Sequence, residues 1–133
     1  MYLIDTNIIL ELLLDQDRAG EVEQFLRNVP SERLYLSEFA LYSLGIILFR
    51  HRQHAVFQEI VQDLVVADGV QLVRLEQAEM HRVVRSAQRY NLDFDDAYQY
   101  AVAETYDLVI VSFDGDFDGT ERGRRLPGEI PVE

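Results

Sequence analysis

Acidic residues stand directly after several apolar segments of the chain, where their side chains could bind metal or transfer protons. Asp5 follows Tyr2–Ile4, and Glu38 follows Leu34–Leu36 with one residue between. Further acids stand near the start of a later helical segment and behind the last apolar run, namely Asp93, Asp95, Asp96, Asp114 and Asp116. If the apolar segments are parallel strands of one sheet, several of these carboxylates meet at one edge.

Carboxylates that converge in this way repel one another, so a site that keeps them ionised must supply positive charge. Mg²⁺ or Mn²⁺ meets this need because these hard cations prefer oxygen ligands. Such ions activate a water molecule and stabilise the leaving oxygen of an in-line displacement at a phosphodiester. A site of this kind would allow a strongly acidic chain to act on RNA.

Each acid also has a simpler structural explanation. Asp5 could cap a turn or the following helix with its own side chain. Asp95 or Asp96 near a helix N-terminus favours the helix dipole, and we expect one of the two to cap that helix. The run Asp114–Gly119 could form a turn or a calcium-type loop, but it lacks the downstream Glu of an EF-hand.

Alternating strands and helices are predicted around these acids. The predicted strands are short and apolar, at Tyr2–Ile4, Leu34–Leu36, Val70–Leu75 and Leu108–Val111. Apolar residues at helical spacing predict helices between them, over Ile8–Leu14 behind the cap-like pair Thr6–Asn7, over Val22–Val29, from the N-cap Ser37 to Phe49, over Val56–Val65, over Met80–Asn91 and over Asp95–Tyr106. This order predicts an α/β fold of three α/β/α layers with a central, mainly parallel sheet, in a single domain covering residues 1–133.

Composition narrows the classes of protein and site. The chain has 133 residues, 48% of them hydrophobic, and no cysteine, which excludes disulfides and thiolate metal sites. Its formal net charge is -12, and every basic residue other than histidine is Arg, so its surface repels nucleic acid unless cations or Arg patches intervene. The N-terminus has no signal-peptide pattern and no segment suits a membrane span, so we expect a cytoplasmic protein.

Three segments of the chain resemble the PIN-domain family, which includes VapC-type toxins. Asp5–Asn7 after a Leu-Ile strand is similar to the opening of PIN domains. Asp96–Ala97 followed by Tyr100–Ala103 resembles the central Asp-Ala helix of the family, and Val111–Phe117 resembles its late motif, a strand followed by Thr/Ser-x-Asp-x-Asp-Phe. All three segments occur in the family's order, and the resemblance spans nearly the whole chain.

The resemblance implies a central parallel sheet flanked by helices, and cleavage of single-stranded or structured RNA that depends on Mg²⁺ or Mn²⁺. Thr6 or Asn7 would orient Asp5 or contact a phosphate of the substrate. By position, the catalytic and metal-binding acids would be Asp5, Asp96 and Asp114, with Asp116 as an auxiliary metal ligand.

The helix after the second strand departs from the family pattern. The family usually carries a Glu inside this helix, where the present chain has Ser43. Glu38 precedes that position by five residues, which is not the same helical face. It could therefore bind metal only from the helix N-terminus, and its alternative role is that of a first-turn partner of the helix dipole. Without Glu38 the site has one carboxylate fewer, and metal affinity falls.

Several surfaces could serve partners other than a metal ion. The heavily apolar stretch Phe39–Phe49 predicts a buried helix or an interface, either with a second copy in a homodimer or with an antitoxin protein. Arg82, Arg85 and Arg89 share a helix face, and Arg122–Arg125 form a basic cluster. Either set could contact RNA phosphates or form local ion pairs, and we favour ion pairs for the helix set.

Three functions compete at this point. The first is a metal-dependent ribonuclease that acts as the toxin of a toxin–antitoxin pair. The second is a non-catalytic PIN-like interaction module, which Ser43 at the usual Glu position and the acidic surface favour. The third is a phosphoryl-transfer domain of receiver or haloacid dehalogenase type. Because both of those families rely on a lysine and the chain has none, we rank this hypothesis last.

Overall fold

The computed structural model describes residues 1–132, in which the strands form one four-stranded sheet. All strand pairs are parallel, and the spatial order is β3-β2-β1-β4. The strands are β1 (Tyr2–Ile4), β2 (Leu34–Ser37), β3 (Gln71–Val73) and β4 (Val109–Val111). The α-helices are α1 (Thr6–Leu13), α2 (Ala19–Asn28), α3 (Glu38–Arg50), α4 (His54–Ile60), α5 (Met80–Tyr90) and α6 (Phe94–Tyr106). A π-helical segment, Val61–Ala67, continues α4.

Helices cover both faces of this sheet. Successive strand residues point to opposite faces, so Ile4 packs with the buried residues of α1, α2 and α3. Leu3 packs on the other face with the buried residues of α5 and α6. Both side chains are fully buried because β1 lies between β2 and β4. The predicted three-layer α/β/α fold with a parallel sheet is confirmed.

Two of the predicted helix ends are confirmed. The hydroxyl oxygen of Ser37 accepts a hydrogen bond from the Ala40 N–H at 2.9 Å and so caps α3. Asn91 adopts the left-handed conformation, with a φ of 56°, just after the last residue of α5.

Other predicted boundaries are corrected by cap geometry. The side chain of Asp5, rather than the pair Thr6–Asn7, caps α1 by accepting a hydrogen bond from the Thr6 N–H. Asp93, rather than Asp95 or Asp96, caps α6 by accepting from the Asp96 N–H. Where several acids stand close together, each satisfies the sequence signal for a cap, and only the backbone conformation decides between them.

The helix α3 is apolar on two sides, only one of which is covered. Ala40, Leu44 and Leu48 are fully buried against the sheet and neighbouring helices. Tyr42, Ile46 and Phe49 remain 60%, 55% and 51% exposed, and we call these three residues the open face of α3. Within residues 1–132, no helix is both long and apolar enough to span a membrane.

Leu44 and Ile46, two residues of similar size on α3, provide a test of this packing. We expect Leu44→Ala to lower the free energy of unfolding by about 2–5 kcal/mol, because it removes a fully buried side chain and leaves a cavity. Ile46→Ala on the open face should change it by less than about 0.5 kcal/mol. Urea unfolding followed by circular dichroism measures both values, and equal losses in the two variants would contradict the burial of this helix.

Candidate metal centre

The carboxyl ends of β1 and β4 bring Asp5 and Asp114 into one region. The two strands are parallel and Ile4 is paired with Val111, so the residues that follow them leave the sheet side by side. A hydrogen bond of 3.0 Å from the Asp5 N–H to the Val111 carbonyl extends this pairing. The chain runs from β1 to β2 on one side and returns to β4 on the other, and ligand sites form at such reversals of strand order.

Three carboxylates converge at this edge. Among the described residues, one oxygen each from Asp96, Asp114 and Asp116 lie within 4.8 Å of one another. Asp96 comes from the first turn of α6, while Asp114 and Asp116 come from the loop behind β4. Asp114 holds Asp116 in place, since the Asp114 carboxylate accepts a hydrogen bond of 2.8 Å from the Asp116 N–H. We call these three residues the acidic cluster.

Asp5 lies beside the acidic cluster but is not a member of it. Its carboxylate is buried and accepts hydrogen bonds on both oxygens. One oxygen accepts from the Thr6 N–H at 2.9 Å and from the Gln99 side-chain amide at 3.1 Å. The other accepts from the Ser112 hydroxyl at 2.7 Å and from the Asn7 side-chain amide at 3.5 Å. These donors fix the direction in which Asp5 points.

Asn7 connects the carboxyl end of β1 with that of β4 through hydrogen bonds. Its amide nitrogen donates to the Ser112 hydroxyl oxygen at 3.1 Å, and its amide oxygen accepts from the Phe113 N–H at 3.1 Å. The Ser112 hydroxyl oxygen also accepts from the Asp114 N–H at 2.9 Å. Asn7 and Ser112 therefore hold the loop that carries Asp114 against Asp5. Thr6 contributes to this arrangement through its backbone N–H.

Burial and mutual repulsion disfavour ionisation of the acids. Burial raises the pKa of Asp5 above its ordinary value, although its hydrogen-bond donors oppose this shift. Burial, followed by the negative charge of Asp114, raises the pKa of Asp96 from 3.8 to about 8. At neutral pH the site therefore holds a proton unless another positive charge replaces it.

A small cavity opens beside these acids. Its volume is about 210 Å³, and its lining includes the acids Asp5, Asp95, Asp96 and Asp114. The lining also contains apolar residues of α1 and α3, namely Leu10, Phe39 and Ile47. Ser43 also lines this cavity, so the position at which the family usually has a Glu does face the site.

Glu38 occupies the first turn of α3, as the helix-dipole alternative requires. Among the described residues it belongs neither to the acidic cluster nor to the lining of the cavity. The structure therefore does not bring Glu38 together with the other predicted ligands, and no carboxylate of α3 takes the place of Ser43.

Sequence reasoning missed the buried amide of Gln99. This side chain is 2% exposed, donates to Asp5 and accepts a hydrogen bond of 2.7 Å from the Ser37 hydroxyl. It thereby connects α6, the end of β1 and the cap of α3. A signal was present in the sequence, because Gln99 stands three residues after Asp96, on the same helix face, within a run that is otherwise apolar or aromatic.

Several arginine side chains form ion pairs with acidic side chains of the same chain. Arg124 pairs with Asp118 at 2.9 Å and donates to the Ser112 carbonyl at 3.2 Å, so it braces the loop that carries the acidic cluster. The helix set forms ion pairs with acids of the protein, as predicted. Its pairs are Arg82 with Glu104 at 3.8 Å and Arg89 with Glu121 at 3.4 Å.

Comparison with known proteins agrees with this architecture. The family model for the PIN domain matches residues 2–123. The chain belongs to the PIN domain family. This membership agrees with the observed parallel sheet and with the acids at its carboxyl edge. A comparison with curated proteins finds no match.

Solved structures with this PIN fold come from several bacteria. A toxin–antitoxin complex from Klebsiella pneumoniae has 23% identity and a TM-score of 0.75, over 98% of this chain and 100% of that chain. FitAcB from Neisseria gonorrhoeae has 21% identity and a TM-score of 0.79, over 98% and 100%. VapC20 from Mycobacterium tuberculosis, a toxin that cleaves the sarcin–ricin loop, has 17% identity and a TM-score of 0.76, over 92% and 96%.

The raised pKa of Asp96 predicts a pH-dependent stability. In protein stripped of divalent ions, the native state keeps the Asp96 proton up to about pH 8, whereas the unfolded state loses it near 3.8. The native state thus binds more protons between these values, so its free energy of unfolding should fall as pH rises. Thermal unfolding in EDTA at several pH values measures this, and Asp96→Asn should give a flatter profile. Parallel profiles in wild type and variant would exclude Asp96 as the cause.

Gln99→Glu tests the hydrogen bond to Asp5. The variant keeps the shape of the side chain but replaces the amide donor by a second carboxylate next to Asp5, so we expect a loss of about 1–3 kcal/mol in the free energy of unfolding at pH 7. Gln88→Glu is the matched control, because Gln88 is exposed on α5 and should tolerate the change within about 0.5 kcal/mol. Urea unfolding provides both values, and a tolerant Gln99→Glu would show that Asp5 does not need this donor.

Proposed function

We propose that this PIN-domain protein is a metal-dependent endoribonuclease and the toxin of a type II toxin–antitoxin pair. The observation that carries the proposal is the acidic cluster, whose oxygens converge within 4.8 Å beside the buried Asp5. A protein gains no stability from bringing like charges together, so a bound cation, which replaces the proton of the cluster, supports this arrangement. An all-oxygen donor set suits Mg²⁺ or Mn²⁺.

The chain's own residues have distinct roles in this proposal. Asp96 and Asp114 would hold the ion from α6 and from the loop behind β4, and Asp116 would complete the site from the solvent side. Asp5, held by its four donors, would act as a ligand or keep the negative field directed at the ion. When bound, the ion supplies an activated water and stabilises the charge that develops on a phosphodiester.

The relatives with solved structures support RNA as substrate and an antitoxin as partner. One of them is a toxin–antitoxin complex and another is a toxin that cleaves the sarcin–ricin loop. The open face of α3 offers an apolar surface for an antitoxin segment or for a second copy of the chain. Size-exclusion chromatography with light scattering tests the homodimer, and a monomer at high concentration would exclude it.

A second candidate function is a non-catalytic interaction module of PIN type. Ser43 favours it, because this residue lines the cavity where the family usually supplies a further carboxylate. A site with one ligand fewer binds its cation more weakly. Metal binding and RNA cleavage therefore have to be measured separately, because weak binding and absent chemistry are different outcomes.

Substitution of Asp96 tests the proposed activity. Asp96→Asn should lower the cleavage rate of RNA in Mn²⁺ by about 100-fold or more, because it removes one ligand of the ion that stabilises the transition state. Calorimetry should show weaker Mn²⁺ binding in the same variant. Asp63→Asn is the control, since Asp63 is exposed in the π-helical segment and lies outside the cavity. A wild-type protein that neither binds Mn²⁺ at millimolar concentration nor cleaves RNA would leave only the interaction module.

A further inference from the structure

An exposed phenylalanine stands near an acid of the acidic cluster in the sequence. Phe94 is the first residue of α6, two positions before Asp96, and its side chain is 56% exposed. Nothing in the start of the helix requires an aromatic ring at this position, because the Asp93 side chain already caps α6. Its i,i+4 contact with Tyr98 contributes only a small stabilisation.

The Phe94 ring packs with two other aromatic rings, one of which lines the cavity. Its centroid lies 5.8 Å from that of Phe39 and 6.1 Å from that of Tyr98. Phe39 in turn lies 5.3 Å from Tyr98 and lines the cavity together with Asp96 and Asp114. Phe39 therefore connects the exposed Phe94 ring with the cavity that the acids line.

The charges around the Phe94 ring decide which group it can accept. Asp93 and Asp95 are exposed on either side of Phe94, so a phosphate at the ring would be repelled. A planar, uncharged group meets no such repulsion and can stack on the ring face. In a nucleic acid that group is the base, while the neighbouring phosphodiester needs the cation of the acidic cluster.

We propose that Phe94, supported by Phe39, is a stacking site for an unpaired base of single-stranded RNA next to the scissile phosphate. This inference rests on the proposed function and names a side chain that contacts its substrate. A base within a duplex is covered by its neighbours, whereas an unpaired base offers its face to an aromatic side chain. Because every base has a face that can stack, we expect little dependence of binding on base identity.

Removal of the ring and removal of the base test the same contact from both sides. Fluorescence anisotropy with a labelled single-stranded RNA oligonucleotide in Mn²⁺ measures affinity, and a gel verifies that the RNA stays intact. Oligonucleotides that are cleaved are compared by kcat/KM. Phe94→Ala should weaken binding about 5- to 150-fold, the usual range for one stacked base, and Phe94→Tyr should retain it. With an abasic residue at the stacked position, wild type and Phe94→Ala should bind alike.

Phe49→Ala is the matched control. Phe49 is 51% exposed on the open face of α3, contacts His54 and Phe57, and does not line the cavity. Its truncation removes the same apolar surface and should leave RNA affinity unchanged. Calorimetry should show the same Mn²⁺ affinity in wild type and Phe94→Ala, which separates stacking from damage to the acidic cluster.

The outcomes separate this inference from the proposed function. Base-dependent binding that needs Phe94, in a protein that cleaves no RNA, supports the stacking site and contradicts the nuclease. Cleavage that is unaffected by Phe94→Ala supports the nuclease and overturns the stacking site. Equal losses of RNA affinity in Phe94→Ala and Phe49→Ala would also overturn it, as would a wild-type protein that does not bind single-stranded RNA. The same holds if the matching DNA oligonucleotide binds more tightly, or if Phe94→Ala changes the sedimentation mass instead of the RNA affinity.

Discussion

Repulsion among carboxylates at the carboxyl ends of β1 and β4 is the constraint on which the rest of the site depends. Burial makes this repulsion costly, as the raised pKa values of Asp5 and Asp96 show. The fold offsets part of the cost with donors, since a buried carboxylate is tolerated only when hydrogen bonds or a cation replace its water. Ser112 and Gln99 bond directly to Asp5, and each also bonds to another element, so the arrangement that stabilises the charge also fixes the loop behind β4 and the start of α3.

The sequence predicted the elements well because their signals are local. The β-branched run before Asp114 and the apolar run before Asp5 each form a strand in a sheet buried on both faces, where alternation disappears and hydrophobicity alone indicates the strand. Ser37 was predicted as a cap because it was the only cap-type residue between a strand and a helix. The cap at Asp93 was missed, and the cap at Asp5 was only one of two alternatives, because neighbouring residues carried equivalent signals and backbone conformation decided among them.

The partners of the acids were harder to predict, because they depend on contacts between distant parts of the chain. Gln99 meets Asp5 across 94 positions and Ser112 meets it across 107. Neither pairing has a local pattern, and both follow only when the strand order β2-β1-β4 is known. For Glu38 the local prediction was correct, since it stands in the first turn of α3. Its assignment to the metal site, which depends on distant contacts, gained no support.

Ser43 affects the charge of the cavity lining as well as the number of metal ligands. A carboxylate at this position would add charge to the part of the lining that α3 supplies, which also contains Phe39 and Ile47. With serine there, the acids of the lining come only from the ends of β1 and β4 and from α6, and the α3 residues of the lining are uncharged. A chain with a net charge of -12 cannot attract RNA through its overall field, and several of its arginines are engaged in ion pairs. Under the proposed function, a cation at the acidic cluster would accept the phosphate, and the uncharged lining around Ser43 would lie beside Phe39, which supports the Phe94 ring.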